Sequence, residues 1–166
     1  MKRTNSQRKF NKTIFILCQG EVTEYEYFQN IKKQIRFSEK VALTIKPYHN
    51  SNALQFIKYA IRNFKEDINS YDEFWVVFDK DDADENGKKI KNFEDAFIIA
   101  EEKNFEVAYS NEVFELWLLL HFTKIDKNVT LPRRRVYEML QEQIRKTKKY
   151  NEYVYDHTQP NAKTIE

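Results

Sequence analysis

The residues of this chain best suited to chemistry are three carboxylates set close behind an uninterrupted apolar run: Phe74-Trp75-Val76-Val77-Phe78 leads directly into Asp79-Lys80-Asp81-Asp82. A run rich in aromatic and β-branched residues reads as a strand buried on both faces, as in the middle of a parallel sheet. Ligands of such sheets bind at the carboxyl ends of the strands. Alternation along the strand puts Asp79 and Asp81 on one side, where two carboxylates repel each other unless a cation lies between them. Oxygen donors suit the hard ions Mg2+ or Mn2+, with Asp82 a further candidate ligand. The following residues, Asp82 to Lys89, are ordinary loop residues. The acids therefore also fit a solvated turn, and the rest of the chain has to decide.

Two more strand ends carry polar groups. Thr13-Ile14-Phe15-Ile16-Leu17-Cys18 reads as a buried strand and runs into Gln19-Gly20-Glu21-Val22-Thr23-Glu24. Gly20 allows a sharp turn close to a ligand. Thr23 can cap a helix whose first turn favours Glu24 through the helix dipole, so Glu24 has a structural reason of its own. A short strand, Phe105 to Tyr109, ends at Ser110-Asn111-Glu112, with Glu115 just beyond. Glu115 stands among apolar residues, where burying it is costly unless it is paired, bound to metal or turned toward a polar cavity.

The elements that must position these groups alternate. Helical spacing of Tyr27, Phe28, Ile31 and Ile35 predicts a helix over Thr23 to Arg36, and Val41 to Tyr48 predicts a strand. Asn52 can cap a helix reaching about Phe64, and Asn92 opens another. Glu112 to His121 predicts an apolar helix buried nearly all round, and Pro132 starts a basic helix ending near Lys148. The βαβαβαβ rhythm implies an α/β fold: a mainly parallel four-stranded sheet with helices on both faces, plus a C-terminal basic helix. In that arrangement the three polar strand ends share one edge.

Composition narrows the field. A chain of 166 residues with 41% hydrophobic content is expected to form one ordinary domain. Fifteen per cent aromatic residues with two Gly and three Pro argue against an all-β meander. The net charge of +2 does not announce a nucleic-acid binder, but charge is uneven. Met1 to Lys12 is a basic arm, and Arg133 and Arg134 open a basic C-terminal segment; either can touch phosphates or simply be solvated. The single cysteine, Cys18, is expected to be a buried, inert thiol, and the three histidines lack zinc spacing. There is no signal-peptide pattern and no bilayer-spanning stretch, so a cytoplasmic protein without membrane contact is expected. No Gly-rich phosphate loop is present for a P-loop phosphotransferase.

Three ordered motifs, Ile16 to Phe28, Phe78 to Asp82 and Ser110 to Phe122, together resemble the RloB-like family, which includes the AbiLii abortive-infection proteins. The resemblance spans about residues 13–122 and implies a Toprim-like fold there, with residues 1–12 as an arm and 123–166 as a C-terminal extension. It also implies an antiphage-defence setting and a partner ATPase of the ABC or AAA type. In Toprim enzymes a Glu behind the first strand and an Asp-x-Asp behind a later one bind divalent metal for phosphodiester chemistry. The catalytic residues implied are Glu21, Glu24, Asp79 and Asp81, with Glu21, Asp79, Asp81 and Asp82 as metal ligands. Gln19, Gly20, Ser110, Asn111, Glu115, Arg133 and Arg134 would support the site or bind substrate. The partners expected are that ATPase, DNA or RNA and, as an open option, further copies of the chain. The family usually has Cys-Glu-Gly-Glu where this chain has Cys18-Gln19-Gly20-Glu21. An amide is a weak ligand and no general base. The expected function is therefore a metal-dependent nuclease, with a catalytically degenerate binding or sensor subunit as the alternative.

Overall fold

The computed structural model describes residues 12–35, 40–49, 52–80 and 88–146. Four strands, β1 (Lys12–Cys18), β2 (Val41–Pro47), β3 (Glu73–Lys80) and β4 (Glu106–Asn111), form one sheet in the order β2-β1-β3-β4. Every pairing is parallel. Six helices accompany them: α1 (Thr23–Gln34), α2 (Ala53–Asn63), α3 (Lys65–Ser70), α4 (Lys88–Glu102), α5 (Glu115–Leu120) and α6 (Arg133–Arg145). The fold is α/β, as the alternating sequence pattern implies.

The apolar strands lie centrally because both of their faces need cover. On one face Phe15 and Leu17 of β1 and Phe74, Val76 and Phe78 of β3 meet Phe56 and Ile57 of α2. Ala53, Ala60, Ala96 and Ala100 let α2 and α4 lie close to that layer. The Phe15 and Phe74 rings stack across the β1–β3 ladder, 4.9 Å apart. On the opposite face Ile16, Cys18, Val77 and Phe114 pack with Tyr25, Tyr27 and Phe28 of α1. Cys18 is fully buried, and burial pushes its thiol pKa up, which fits an inert thiol. A third cluster, Val113, Leu119, Val136, Leu140 and Ile144, fastens α6 to α5.

Strand order decides where a ligand can enter. The chain passes from β1 to its neighbour β2 on one side, then crosses back to β3 on the other side of β1. The connections behind β1 and β3 therefore diverge, leaving the topological switch point at the carboxyl ends of these two strands.

Several elements differ from the sequence expectation. Helix α3 has no apolar stripe to announce it; it forms behind Phe64, whose ring packs against Phe15 and Phe74. Helix α4 already includes Lys88, four residues ahead of Asn92. Helix α5 starts at Glu115, because Glu112 takes a φ of 77° and turns the chain. Nor is that region buried all round: Trp117, Leu120 and Phe122 are 41%, 48% and 50% exposed, while the buried side chains of α5 and its approach pack on the α1-side core and on α6. Residues 1–11 of the basic arm and the chain beyond residue 146, including the expected end of the basic helix, lie outside the described residues. No helix among the described residues is long and apolar enough to cross a membrane.

Candidate metal centre

The ends of β1 and β3 are held in fixed alignment. The Tyr48 N–H donates to the Cys18 carbonyl (2.8 Å), and the Gln19 N–H donates to the Val77 carbonyl (2.8 Å), which extends the β1–β3 ladder one residue beyond the strand. The Gln19 side chain turns back, and its Oε1 accepts the Asp79 N–H at 3.1 Å. The amide at position 19 thus has a definite structural role, since it fixes the backbone from which Asp79 projects.

Register and alternation then aim the side chains. Asp79 pairs with Ser110 of β4 across the parallel ladder, so both side chains lie on one face. Val77 and Trp75, two and four residues back, belong to the core on the α1 side. Lys80 goes the opposite way and lies over the Phe93 ring of α4, 5.5 Å from its centre. Asp79 therefore faces the layer from which α1 and α5 contribute their own acids.

Those acids are buried with it. Glu24 in the first turn of α1 and Glu115 at the start of α5 are only 7% and 8% exposed. Gly20 is what admits Glu24: a Cβ at position 20 would overlap the Glu24 carboxylate. Burial is the main cause that raises the Asp79 pKa from 3.8 to about 8, reinforced by the charges of Glu24 and Glu115. The Ser110 hydroxyl and the Phe114 amide oppose this without reversing it. Glu24 is likewise raised, first by burial and then by Glu115, against the lowering effect of its own amide and that of Gly20. Asp79 Oδ1 and Ser110 Oγ are both enclosed with no hydrogen bond of good geometry.

Helix α6 is tied to the residue that links β4 to α5. The carboxylate of Glu112 accepts the Arg133 N–H at 2.7 Å, and Arg133 Nη2 donates to the Glu112 carbonyl at 3.3 Å. One helical turn on, Tyr137 has its phenol pKa pushed up to about 12, chiefly by burial and then by Glu115, with Arg133 opposing and Asp79 adding. Its hydroxyl thus lies within the fields of two of the acids and the guanidinium. Tyr137 was not legible as a site residue. The Arg133 and Tyr137 spacing of four places them on one helix face, but nothing local in sequence says that α6 folds back over α5.

The structure therefore brings together Gln19, Gly20, Glu24, Asp79, Ser110 and Glu115, while Arg133 is held on Glu112. Glu21 and Asn111 are exposed. The Arg134 side chain is 92% exposed and pairs with Glu138, on the outer side of α6. Asp81 and Asp82 lie outside the described residues. Buried carboxylates with an unsatisfied oxygen are a donor set that suits a hard divalent ion. They do not form a closed ligand shell: among the described residues no three His, Cys, Asp or Glu side chains converge at metal-binding distance.

A family model described as RloB-like protein matches residues 14–165. No curated protein and no solved structure matches the chain.

Two outcomes are expected of the acid cluster itself. A carboxyl whose folded pKa exceeds its unfolded value stabilises the fold fully below the unfolded pKa, and that contribution is lost as pH rises through the folded one. For Asp79 the window runs from 3.8 to about 8. Thermal melts of metal-free protein should show stability falling across this range, and Asp79→Asn should flatten the fall. At pH 8 the variant should melt on the order of 5 °C higher than wild type, with the two much closer near pH 4. In a second experiment, Gly20→Ala should displace the Glu24 carboxylate and weaken Mn2+ binding, measured calorimetrically, by about 10-fold or more. Unchanged affinity would remove Glu24 from the ligand set.

Proposed function

The chain belongs to the RloB-like family, and from that premise and its buried acids we propose that it is a divalent-metal-dependent phosphodiesterase acting on DNA or RNA. The observation that carries this reading is the joint burial of Glu24, Asp79 and Glu115 at the switch point behind β1 and β3, with one Asp79 oxygen unsatisfied. An acid behind the first strand and an aspartate behind the neighbouring one is also what the Toprim resemblance implies. The four-stranded parallel sheet is compatible with that fold. The same resemblance supports a role in antiphage defence beside an ABC- or AAA-type ATPase in the cytoplasm.

In this reading Glu24, Asp79 and Glu115, which do not converge at metal-binding distance, would have to close on Mg2+ or Mn2+ to hold it. When bound, the ion supplies Lewis acidity, lowering the pKa of an attacking water and stabilising the leaving oxygen. The chain's own residues prepare that chemistry. Asp79 must give up its proton to become a ligand, and the Ser110 hydroxyl and Phe114 amide favour its charged form. Gln19 holds the Asp79 backbone through the 3.1 Å bond and so sets the carboxylate's position. Gly20 keeps the space that Glu24 occupies.

A second reading is favoured by one residue. At position 19 the carbonyl oxygen accepts the Asp79 amide, a role an amide side chain fills as well as a carboxylate. Such a site can keep its architecture without its full negative charge, as in a binding or sensor subunit that no longer cleaves.

Cleavage of labelled single-stranded and duplex DNA and RNA in Mg2+ or Mn2+, by the protein alone and with its ATPase, separates the two. The lead reading expects divalent-dependent cleavage that Asp79→Asn lowers by at least about 100-fold; equal cleavage by the variant would sink the assignment. Gln19→Glu adds a negative charge beside Asp79. It should tighten Mn2+ binding by about 10-fold while lowering metal-free stability at pH 8. If wild type is inert on every substrate and Gln19→Glu cleaves, the degenerate reading holds.

A further inference from the structure

We propose that the outer edge of β4 and the flank of α4 beside it form a self-association surface, on which a second copy of this chain adds its own β4 antiparallel about a two-fold axis. The inference stands apart from the nuclease reading and makes no use of the acid cluster.

The two edges of the sheet are guarded differently. An edge strand exposes a row of backbone N–H and C=O groups, and proteins blunt such edges with lysine, proline or inward charge. Strand β2 ends in Lys46-Pro47; Lys46 is exposed, and the proline removes a donor from the edge. Strand β4, Glu106-Val107-Ala108-Tyr109-Ser110-Asn111, has neither residue type, and its one charge stands at its first position. It pairs with β3 alone, and no backbone hydrogen bond from another described residue reaches its outer side.

Apolar groups gather at the same unguarded edge. Tyr109 is 45% exposed although the rings of Phe93 and Phe97 lie against it. Phe97 and Ile90, seven residues apart and so on one side of α4, are exposed as well. Among the described residues, none of the exposed large apolar side chains belongs to β2, α1 or α2. An apolar patch beside an open strand edge is what a partner that extends the sheet would cover.

A second copy fits that patch. Tyr109 lies opposite Phe78 in the ladder, so its side chain is on the α4 face. A two-fold axis perpendicular to the sheet preserves the faces and sets α4 of both copies on one side. Phe93 touches both Phe78 of β3 and Tyr109 of β4, which seats α4 across these two strands. With strands about 4.8 Å apart, α4 and its symmetry mate come to lie about 10 Å apart, the distance at which helices pack. Ile90, Phe97 and Tyr109 then meet their own counterparts.

Charge favours the copy over an unrelated strand. Helix α4 has no acid in its first turn and no base in its last; Lys91 is exposed near its start, and Glu101 and Glu102 are exposed at its end. This is the reverse of what the helix dipole prefers. An antiparallel mate brings Lys91 toward Glu102 of the second copy, and Phe97 lies between these two positions along the helix. Each copy thus supplies the charge that the other lacks. Because the paired strands run in opposite directions, the two acid clusters would open at opposite edges of one continuous sheet.

Sedimentation of the full chain over a range of concentrations tests this, with amide exchange measured alongside. Wild type should reach twice the chain mass, and association should slow exchange in β4 while leaving β2 unchanged. Tyr109→Lys and Phe97→Lys should each weaken self-association at least about 10-fold, and Trp117→Lys, in the exposed apolar patch of α5, should stay within about 2-fold of wild type. Lys91→Glu should weaken it about 3-fold, and Glu102→Lys in the same chain should restore it. Melting curves establish that each variant folds. A monomeric wild type, a dimer that Tyr109→Lys and Phe97→Lys leave intact, protection of β2 instead of β4, or a Lys91→Glu loss that Glu102→Lys does not relieve overturns the proposal. None of these outcomes bears on cleavage, which is judged by the nuclease assay.

Discussion

The parallel pairing of β1 with β3 is the constraint on which the site depends, because it sets two unrelated stretches of chain side by side and sends their continuations to opposite faces of the sheet. The ladder runs one residue past the strand through the Gln19 amide, and the Gln19 side chain adds a bond to Asp79. A shift of one residue of β3 in this register would turn Asp79 toward the α2 and α4 layer, which Phe56 and Phe93 line with aromatic rings. The buried Phe74 and Val76 oppose any such shift, since each would leave its place beside Phe15 and Leu17 for the other face. Core packing and site geometry are thus secured by the same register.

The cost of this arrangement is electrostatic. Glu24, Asp79 and Glu115 are buried together, and burial and neighbouring charge raise the affinity of Glu24 and Asp79 for protons. A fold optimised only for stability would replace at least one of these groups with an apolar or hydrogen-bonded residue. Retaining them, with Gly20 shaped to admit Glu24, concentrates oxygen donors where the sheet topology already places ligands.

Much of this was legible from the chain. Buried strands in β1 and β3 announce themselves because their central positions are all apolar, and Asn52 was readable as a cap, its side chain accepting the Gln55 N–H at the start of α2. Glu115 stood out as an acid in an apolar setting, and it is indeed buried. What escaped was of another kind. Helix α3 has a polar sequence and depends on how Phe64 is packed. The late start of α5 depends on the backbone turn at Glu112, a left-handed conformation that its side chain does not advertise. Exposure of Trp117, Leu120 and Phe122 runs against a hydrophobic count, since such a count registers the residues of a helix without registering how many sides of it are covered.

By itself the sequence determined the α/β alternation, the two buried central strands, the polar groups at their ends and the family to which the chain belongs. These follow from local periodicity and from short motifs, which act over a few residues. Only the tertiary structure decided that Glu24, and not Glu21, is the acid buried with Asp79, that Gln19 holds the Asp79 backbone, and that Arg133 is held on Glu112 while Arg134 pairs with Glu138 on the outer side of α6. The reason is physical: burial and Coulomb interaction depend on distance through space. Residues 24, 79 and 115 are brought within reach of one another only when β1 and β3 pair and α1 and α5 settle on the same face of the sheet.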